Sequence, residues 1–229
     1  MANALILFAM IPPAGKAKLR LMPFLTAGDC RALYSCFAKD VYEKARQVDA
    51  DVYVFFTPRD KGGVLRTLLG PEAILLPQHG ENLGQKMKNA IGAVLRLGYD
   101  RVVLMGMDIP HIHTETICNA FSNLAGKDIV IHPALDGGYY LIGMKREYDS
   151  IWNIKHYGTN TVMYDTLQHM KAENLSISVG QMYYDVDRKE DLRQLWNDIC
   201  RGAVCNCPET AAFLASIRQK LEGSREQRK

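Results

Sequence analysis

The segment Arg101–Met105 reads Arg-Val-Val-Leu-Met, four apolar side chains with no polar residue between them. Successive side chains of a strand point to opposite faces, so a strand with one wet face alternates. This one does not alternate and must be covered on both faces, as the central strand of a parallel sheet is. The rest of the chain supplies the partners. Ala4–Ala9 and Asp51–Thr57 are further apolar runs, the second rich in β-branched and aromatic residues, and both read as strands. Ala73–Leu76, Asp128–His132 and Ser176–Val179 read as shorter strands.

Helical spacing fills the intervals. Within Thr26–Val48, the residues Leu33, Phe37, Val41 and Ala45 form one stripe. Asn82 is placed to cap a helix running to Leu97. Thr114–Leu124, Thr159–Ala172 and Arg188–Cys200 read as helices, and Pro208–Leu221 as another with proline at its start. Pro58–Gly63 reads as punctuation, and Asp136-Gly137-Gly138 as a turn before a returning strand at Tyr139–Gly143. Strand–helix alternation through residue 132 predicts an α/β fold with a mostly parallel sheet and helices on both faces.

Composition narrows the function. The 229 residues are 48% hydrophobic and 23% charged, which is globular rather than disordered. The net charge is +3, and the tail 218–229, with five basic and two acidic residues, accounts for all of it. A neutral body argues against a nucleic-acid partner. No apolar run approaches the ~20 residues that span a bilayer, so no membrane partner is expected. The N-terminus reads as a buried strand rather than a signal peptide, and the six cysteines as thiols of a cytoplasmic protein. Cys200, Cys205 and Cys207 match no standard zinc spacing. Neither G-x-S-x-G nor a G-x-G-x-x-G after the first strand occurs, against an α/β-hydrolase and a nicotinamide dehydrogenase.

In open α/β sheets ligands bind beyond the carboxyl ends of the strands. After the first strand comes a Gly/Pro loop with Gly15, Lys16, Lys18 and Arg20. It reads either as a phosphate cradle or as a solvated basic loop. After the central strand comes Gly106-Met107-Asp108-Ile109-Pro110. Asp108 is a hard oxygen ligand suited to Mg²⁺ or Mn²⁺ beside substrate phosphates, or else a cap for the next helix. Asp136-Gly137-Gly138 is either a ligand-approach loop or a plain hairpin turn. In Asp185-Val186-Asp187 the two carboxylates face one way if the segment is extended, toward a cation or as the N-terminal cluster of the next helix. His111 and His113 have no evident third ligand.

Taken together, Phe8–Leu21, Gln78–Met87, Gly106–Pro110, Pro133–Gly143 with Gly158-Thr159, and Asp185–Leu192 resemble a family. The chain is similar over roughly residues 4–196 to bacterial glycosyltransferase-A-like (GT-A-like) proteins known as radical-SAM/selenodomain-associated, or arsenosugar-biosynthesis-type, transferases. These belong to the nucleotide-diphospho-sugar transferase superfamily. Asp136–Gly143, Asp-Gly-Gly-Tyr-Tyr-Leu-Ile-Gly, is the most specific segment. The resemblance implies a three-layer α/β/α GT-A-like domain at 1–200, followed by a C-terminal helix and basic tail at 201–229.

It also implies roles. Gly15, Lys18 and Arg20 would approach the donor phosphates, with Leu83, Gly84 and Lys86 beside them and the base and ribose near Ala9, Met10 and Pro58. Asp108 and Asp187 would hold Mg²⁺ or Mn²⁺. Asp136 would orient the acceptor or serve as its base, with Gly137, Gly138 and Tyr139 on the acceptor side. The first loop departs from the family's Lys-Ala-Pro-Arg-Pro-Gly: Met10 to Gly15 lack its two cations, and Leu19 stands where threonine is usual. That implies weaker phosphate affinity or a different donor. The expected activity is metal-dependent glycosyl transfer from a nucleoside-diphosphate sugar to an unknown small-molecule acceptor. One alternative is nucleotidyl transfer from a nucleoside triphosphate to a phosphorylated acceptor. A second is non-catalytic nucleotide binding. The oligomeric state is left open.

Overall fold

The structure, a computed structural model, describes residues 1–11, 20–22 and 24–222. Seven strands form one sheet: β1 (Asn3–Met10), β2 (Asp51–Thr57), β3 (Ile74–Pro77), β4 (Arg101–Gly106), β5 (Ile129–Pro133), β6 (Tyr139–Met144) and β7 (Ile177–Val179). Their order is β3-β2-β1-β4-β6-β5-β7. All neighbours are parallel except β6, which runs antiparallel to both β4 and β5.

The central run behaves as its lack of alternation requires. Val103 and Met105 enter one core with side chains of α1 (Ala27–Ala45), α2 (Gly62–Leu69) and α4 (Thr114–Asn123). Val102 and Leu104 enter a second core, on the opposite face, with α3 (Leu83–Leu95) and α5 (Val162–Ala172). The three-layer arrangement follows.

Three local differences from the sequence reading have physical causes. The punctuation at Pro58–Gly63 runs directly into α2, whose Gly62-Gly63 start hides it from propensity. Gly62 is tolerated there because a Cβ would stand 2.9 Å from the Phe56 ring. The helix read from Thr159 begins at Val162, because the hydroxyls of Thr159 and Thr161 bond each other and neighbouring groups instead. The helix read over Pro208–Leu221 divides at Ile217 into α7 (Pro208–Ser216) and α8 (Arg218–Glu222).

The C-terminal segment packs on the body. Leu214 and Leu221 join Leu33 and Phe37 of α1 and Leu192 and Leu195 of α6 (Lys189–Cys200) in a third core. The buried Asp40 carboxylate accepts the N–H groups of Glu209 (3.1 Å) and Thr210 (2.8 Å), the open donors at the start of α7. Among the described residues no helix is long and apolar enough to cross a membrane.

Candidate active site

The carboxyl ends of β1, β2 and β4 rise on one side of the sheet, and the β5–β6 hairpin turns back there. A cavity of about 520 Å³ opens at this edge, bordered by α3 and the start of α5. Asp108, directly beyond β4, lines it together with Asp136 and Asp185. Backbone bonds bring these distant segments together. Val186 N–H donates to the Asp108 carbonyl at 2.9 Å, and Leu135 N–H donates to Tyr183 O at 2.9 Å. Asp136 Oδ1 accepts Gly138 N–H at 2.9 Å, which fixes the hairpin turn. Gly137 in that turn has φ +91°, and a Cβ would lie 2.2 Å from Asn160 O. No other residue fits the position.

The site carries surplus negative charge. Burial first, then the Asp136 carboxylate, with smaller contributions from Asp187 and Asp108, push the Asp185 carboxyl up to about 6. Among the described residues no three His, Cys, Asp or Glu side chains stand close enough to hold a metal by themselves. The hard-oxygen, mutually repelling set nonetheless fits an ion that takes one or two carboxylates and completes its shell with phosphate oxygens, as Mg²⁺ does.

Of the expected residues, Met10, Leu83, Lys86, Asp108, Asp136, Gly138 and Tyr139 meet at this cavity. Ala9, Gly84 and Gly137 adjoin lining residues rather than lining it themselves. Ala9 is fully buried and contributes its carbonyl, and Gly84 lets the Tyr157 ring approach, since a Cβ there would stand 2.4 Å from Tyr157 Oη. Arg20 and Asp187 pair with each other at 3.2 Å. Gly15 and Lys18 lie outside the described residues.

Asp185 and Gln78 are among the lining residues to which the sequence reading gives no role of their own. Asp185 appeared only as one half of the Asp-Val-Asp pair, and the metal role went to Asp187. Gln78 follows β3 directly, so the rule that ligands gather at strand carboxyl ends points to it. Its buried amide Nε2 donates to Phe55 O (3.0 Å) and Ala9 O (3.2 Å). With both amide hydrogens held by main-chain carbonyls, the group Gln78 offers the cavity is its oxygen, a hydrogen-bond acceptor.

Residues 41–159, which contain Gln78, Asp108 and Asp136, match the family described as uncharacterized protein conserved in bacteria (DUF2064). The chain belongs to this family. A structure from Desulfovibrio desulfuricans G20, provisionally named a nucleotide-diphospho-sugar transferase, superposes on this DUF2064 chain with a TM-score of 0.91. It is 30% identical and covers 97% of this chain and 98% of its own. Two 2-phospho-L-lactate guanylyltransferases are more distant. The one from Methanothermobacter thermautotrophicus is 27% identical over 214 residues, 91% of this chain and 89% of its own length. The one from Methanosphaera stadtmanae is 24% identical over 200 residues, 84% of each. The DUF2064 match ends before Asp185 and Asp187, while the alignment with the Methanothermobacter protein spans nine-tenths of the chain.

Proposed function

We propose that this chain is a nucleotidyltransferase that joins a nucleoside triphosphate to a phosphorylated small molecule in the presence of Mg²⁺ or Mn²⁺. An oxygen of the acceptor phosphate attacks the α-phosphorus, a new P–O bond forms, the α–β bridging P–O bond breaks, and pyrophosphate leaves. The observation that carries this reading is the likeness to two guanylyltransferases over 84% and 91% of the chain. It moves the choice from the glycosyl transfer expected from sequence to nucleotidyl transfer, and it puts guanine first among the bases.

The residues at the cavity supply what such a reaction needs. Phosphoryl chemistry is largely positioning and charge stabilisation. A phosphate acceptor is mostly ionised at neutral pH, its second pKa being about 6, so no strong base is required. Asp136, held by its own turn, then serves to orient the acceptor side. Gln78 offers its oxygen to a donor on the base, and guanine presents two adjacent ones on its N1 and exocyclic N2 edge. Lys86, in the first turn of α3 and on the cavity wall, and Arg20 supply positive charge to the triphosphate, helped by the N-terminal end of α3. Asp108 with Asp187 or Asp185 would hold the metal ion, which when bound neutralises phosphate charge and stabilises the leaving pyrophosphate. A nucleoside-diphosphate-sugar donor is the second reading, favoured by the TM-score of 0.91 to the Desulfovibrio protein.

The test is pyrophosphate release from each of the four ribonucleoside triphosphates with a panel of phosphorylated acceptors and Mn²⁺, beside a thermal-shift panel that adds diphosphates and their sugars. Release with GTP supports the reading. Stabilisation by one diphosphate and its sugars, with no pyrophosphate from any triphosphate, moves the assignment to glycosyl transfer. Binding without turnover on any acceptor supports the non-catalytic alternative.

A further inference from the structure

The cavity has two unlike sides. Over β1 to β3 it is bordered by Met10, Thr57 and Gln78, where the base is placed above. Toward β6 and α5 its lining includes the partly exposed Tyr139 (β6) and Tyr157, with the buried Leu104 (β4), Ile142 (β6), Val162 (α5) and Met87 (α3) as floor. These side chains belong to or pack against the core on the α3–α5 face, apart from Val162, which is itself buried. The cavity therefore dips from the row of carboxylates toward the apolar interior. Strands lie ~4.8 Å apart, so β2 and β6, three spacings apart in this sheet, are separated by roughly 14 Å. A base seated at Gln78 does not also cover the β6 wall. Phosphates and a metal ion gain nothing from such a surface, and neither does a small, polar acceptor.

We infer that the acceptor carries, besides its phosphate, a branched aliphatic or aromatic group that seats against Tyr139 and Tyr157, over the floor of Leu104, Ile142 and Val162 between β6 and α5. The inference rests on the nucleotidyltransferase reading for the acceptor's phosphate. Continuity with Asp108, Asp136 and Asp185, which line the same cavity, gives the wall to the acceptor rather than to a separate ligand. Apolar burial acts on affinity in proportion to the area removed from water, about fourfold per methylene.

The experiment uses the full chain and four O-phosphorylated 2-hydroxy acids that differ only in side chain: hydroxymethyl (2-phosphoglycerate), methyl (phospholactate), isobutyl and benzyl. Binding of each is measured by calorimetry with Mg²⁺ alone. Turnover is measured separately as pyrophosphate release with GTP, and GTP binding with Mg²⁺ is measured by itself. The expected result is affinity rising from hydroxymethyl to benzyl, with the benzyl compound at least tenfold tighter than the methyl one. In Val162→Asp that advantage disappears. Val162 is buried, so a carboxylate there costs stability, and a circular-dichroism melt first establishes that the variant folds. If it does not, the wild-type series decides alone.

Affinity that is flat or falls toward the benzyl compound overturns the inference, whether or not GTP binds. If GTP fails to bind, the nucleotidyltransferase reading falls separately, and the acceptor series still decides whether an apolar phosphate ester occupies the wall.

Discussion

The Arg20 guanidinium lies 3.2 Å from the Asp187 carboxylate and ties the end of the loop after β1 to the segment that precedes α6. Both side chains are partly open to water, at 61% and 34% exposure. A pair of this kind contributes at most about 1 kcal/mol to folding. Its place beside Asp185, where the proposed metal ion would sit, matters more. Arg20→Ala is expected to leave the melting temperature within a few degrees of wild type and to weaken Mn²⁺-dependent GTP binding about tenfold, the size of one charge-assisted hydrogen bond. Asp108→Ala abolishes the metal-dependent part of binding altogether. Calorimetry with and without Mn²⁺ reads both. Unchanged metal-dependent binding in Asp108→Ala removes that residue from the metal role.

Gln78 links the architecture of the sheet to the proposed choice of base. Gln78→Leu keeps the volume and removes the amide that Ala9 O and Phe55 O accept from. Leaving buried carbonyls short of a donor costs about 1–3 kcal/mol, so a lower urea midpoint with an unchanged slope is expected. Discrimination among the four triphosphates flattens at the same time. A variant that folds and still prefers one base to the wild-type extent shows that Gln78 does not read it.

Gly84 and Tyr157 test how closely α3 and the segment before α5 must approach. A Cβ on residue 84 would stand 2.4 Å from Tyr157 Oη and 2.6 Å from the ring. Gly84→Ala therefore forces Tyr157 out of its place on the cavity wall, and overpacking of this kind costs about 1–3 kcal/mol. The double variant Gly84→Ala/Tyr157→Ala recovers much of that loss. Circular-dichroism melts of the single and double variants measure the coupling. Equal losses in both would mean that the Tyr157 contact is not the cause.

Much of this arrangement is legible in the sequence because burial leaves a plain mark there. Arg101–Met105 gives the covered central strand. The carboxyl-end rule then leads to Asp108 and Asp136, which the cavity brings together. What the sequence hides is hidden for physical reasons. α2 starts on two glycines and buries only Leu65, so it carries almost no periodic signal. Gln78 is one polar residue after a four-residue strand, indistinguishable from a loop residue until β1 and β2 supply the carbonyls that hold it. Asp185 and Asp187 have the same spacing relation to Val186. Only the fold shows that the first lines the cavity and the second meets Arg20.

The last prediction concerns pH and two buried histidines, His111 and His132. His111 stacks on Tyr184 with ring centroids 4.3 Å apart and lies near Tyr183 at 5.5 Å, and both of its ring nitrogens are buried without partners. Burial, with smaller contributions from Lys44 and His113, pushes it down to about 4. His132 bonds Tyr140 Oη at 2.9 Å through Nδ1, and burial pushes it likewise down to about 4. At neutral pH both rings are neutral, folded or unfolded, and titration favours neither state. Between the unfolded value near 6.5 and the folded value near 4, the unfolded chain binds protons that the folded one refuses. Stability therefore falls as pH is lowered through that window, by up to about 3 kcal/mol per histidine at its lower end. His111→Phe, which keeps an aromatic ring between the tyrosines and removes the titration, is expected to change little at pH 7.5 and to be more stable than wild type at pH 4.5. Urea midpoints at the two pH values decide. Parallel loss in wild type and variant would place the acid sensitivity elsewhere in the chain.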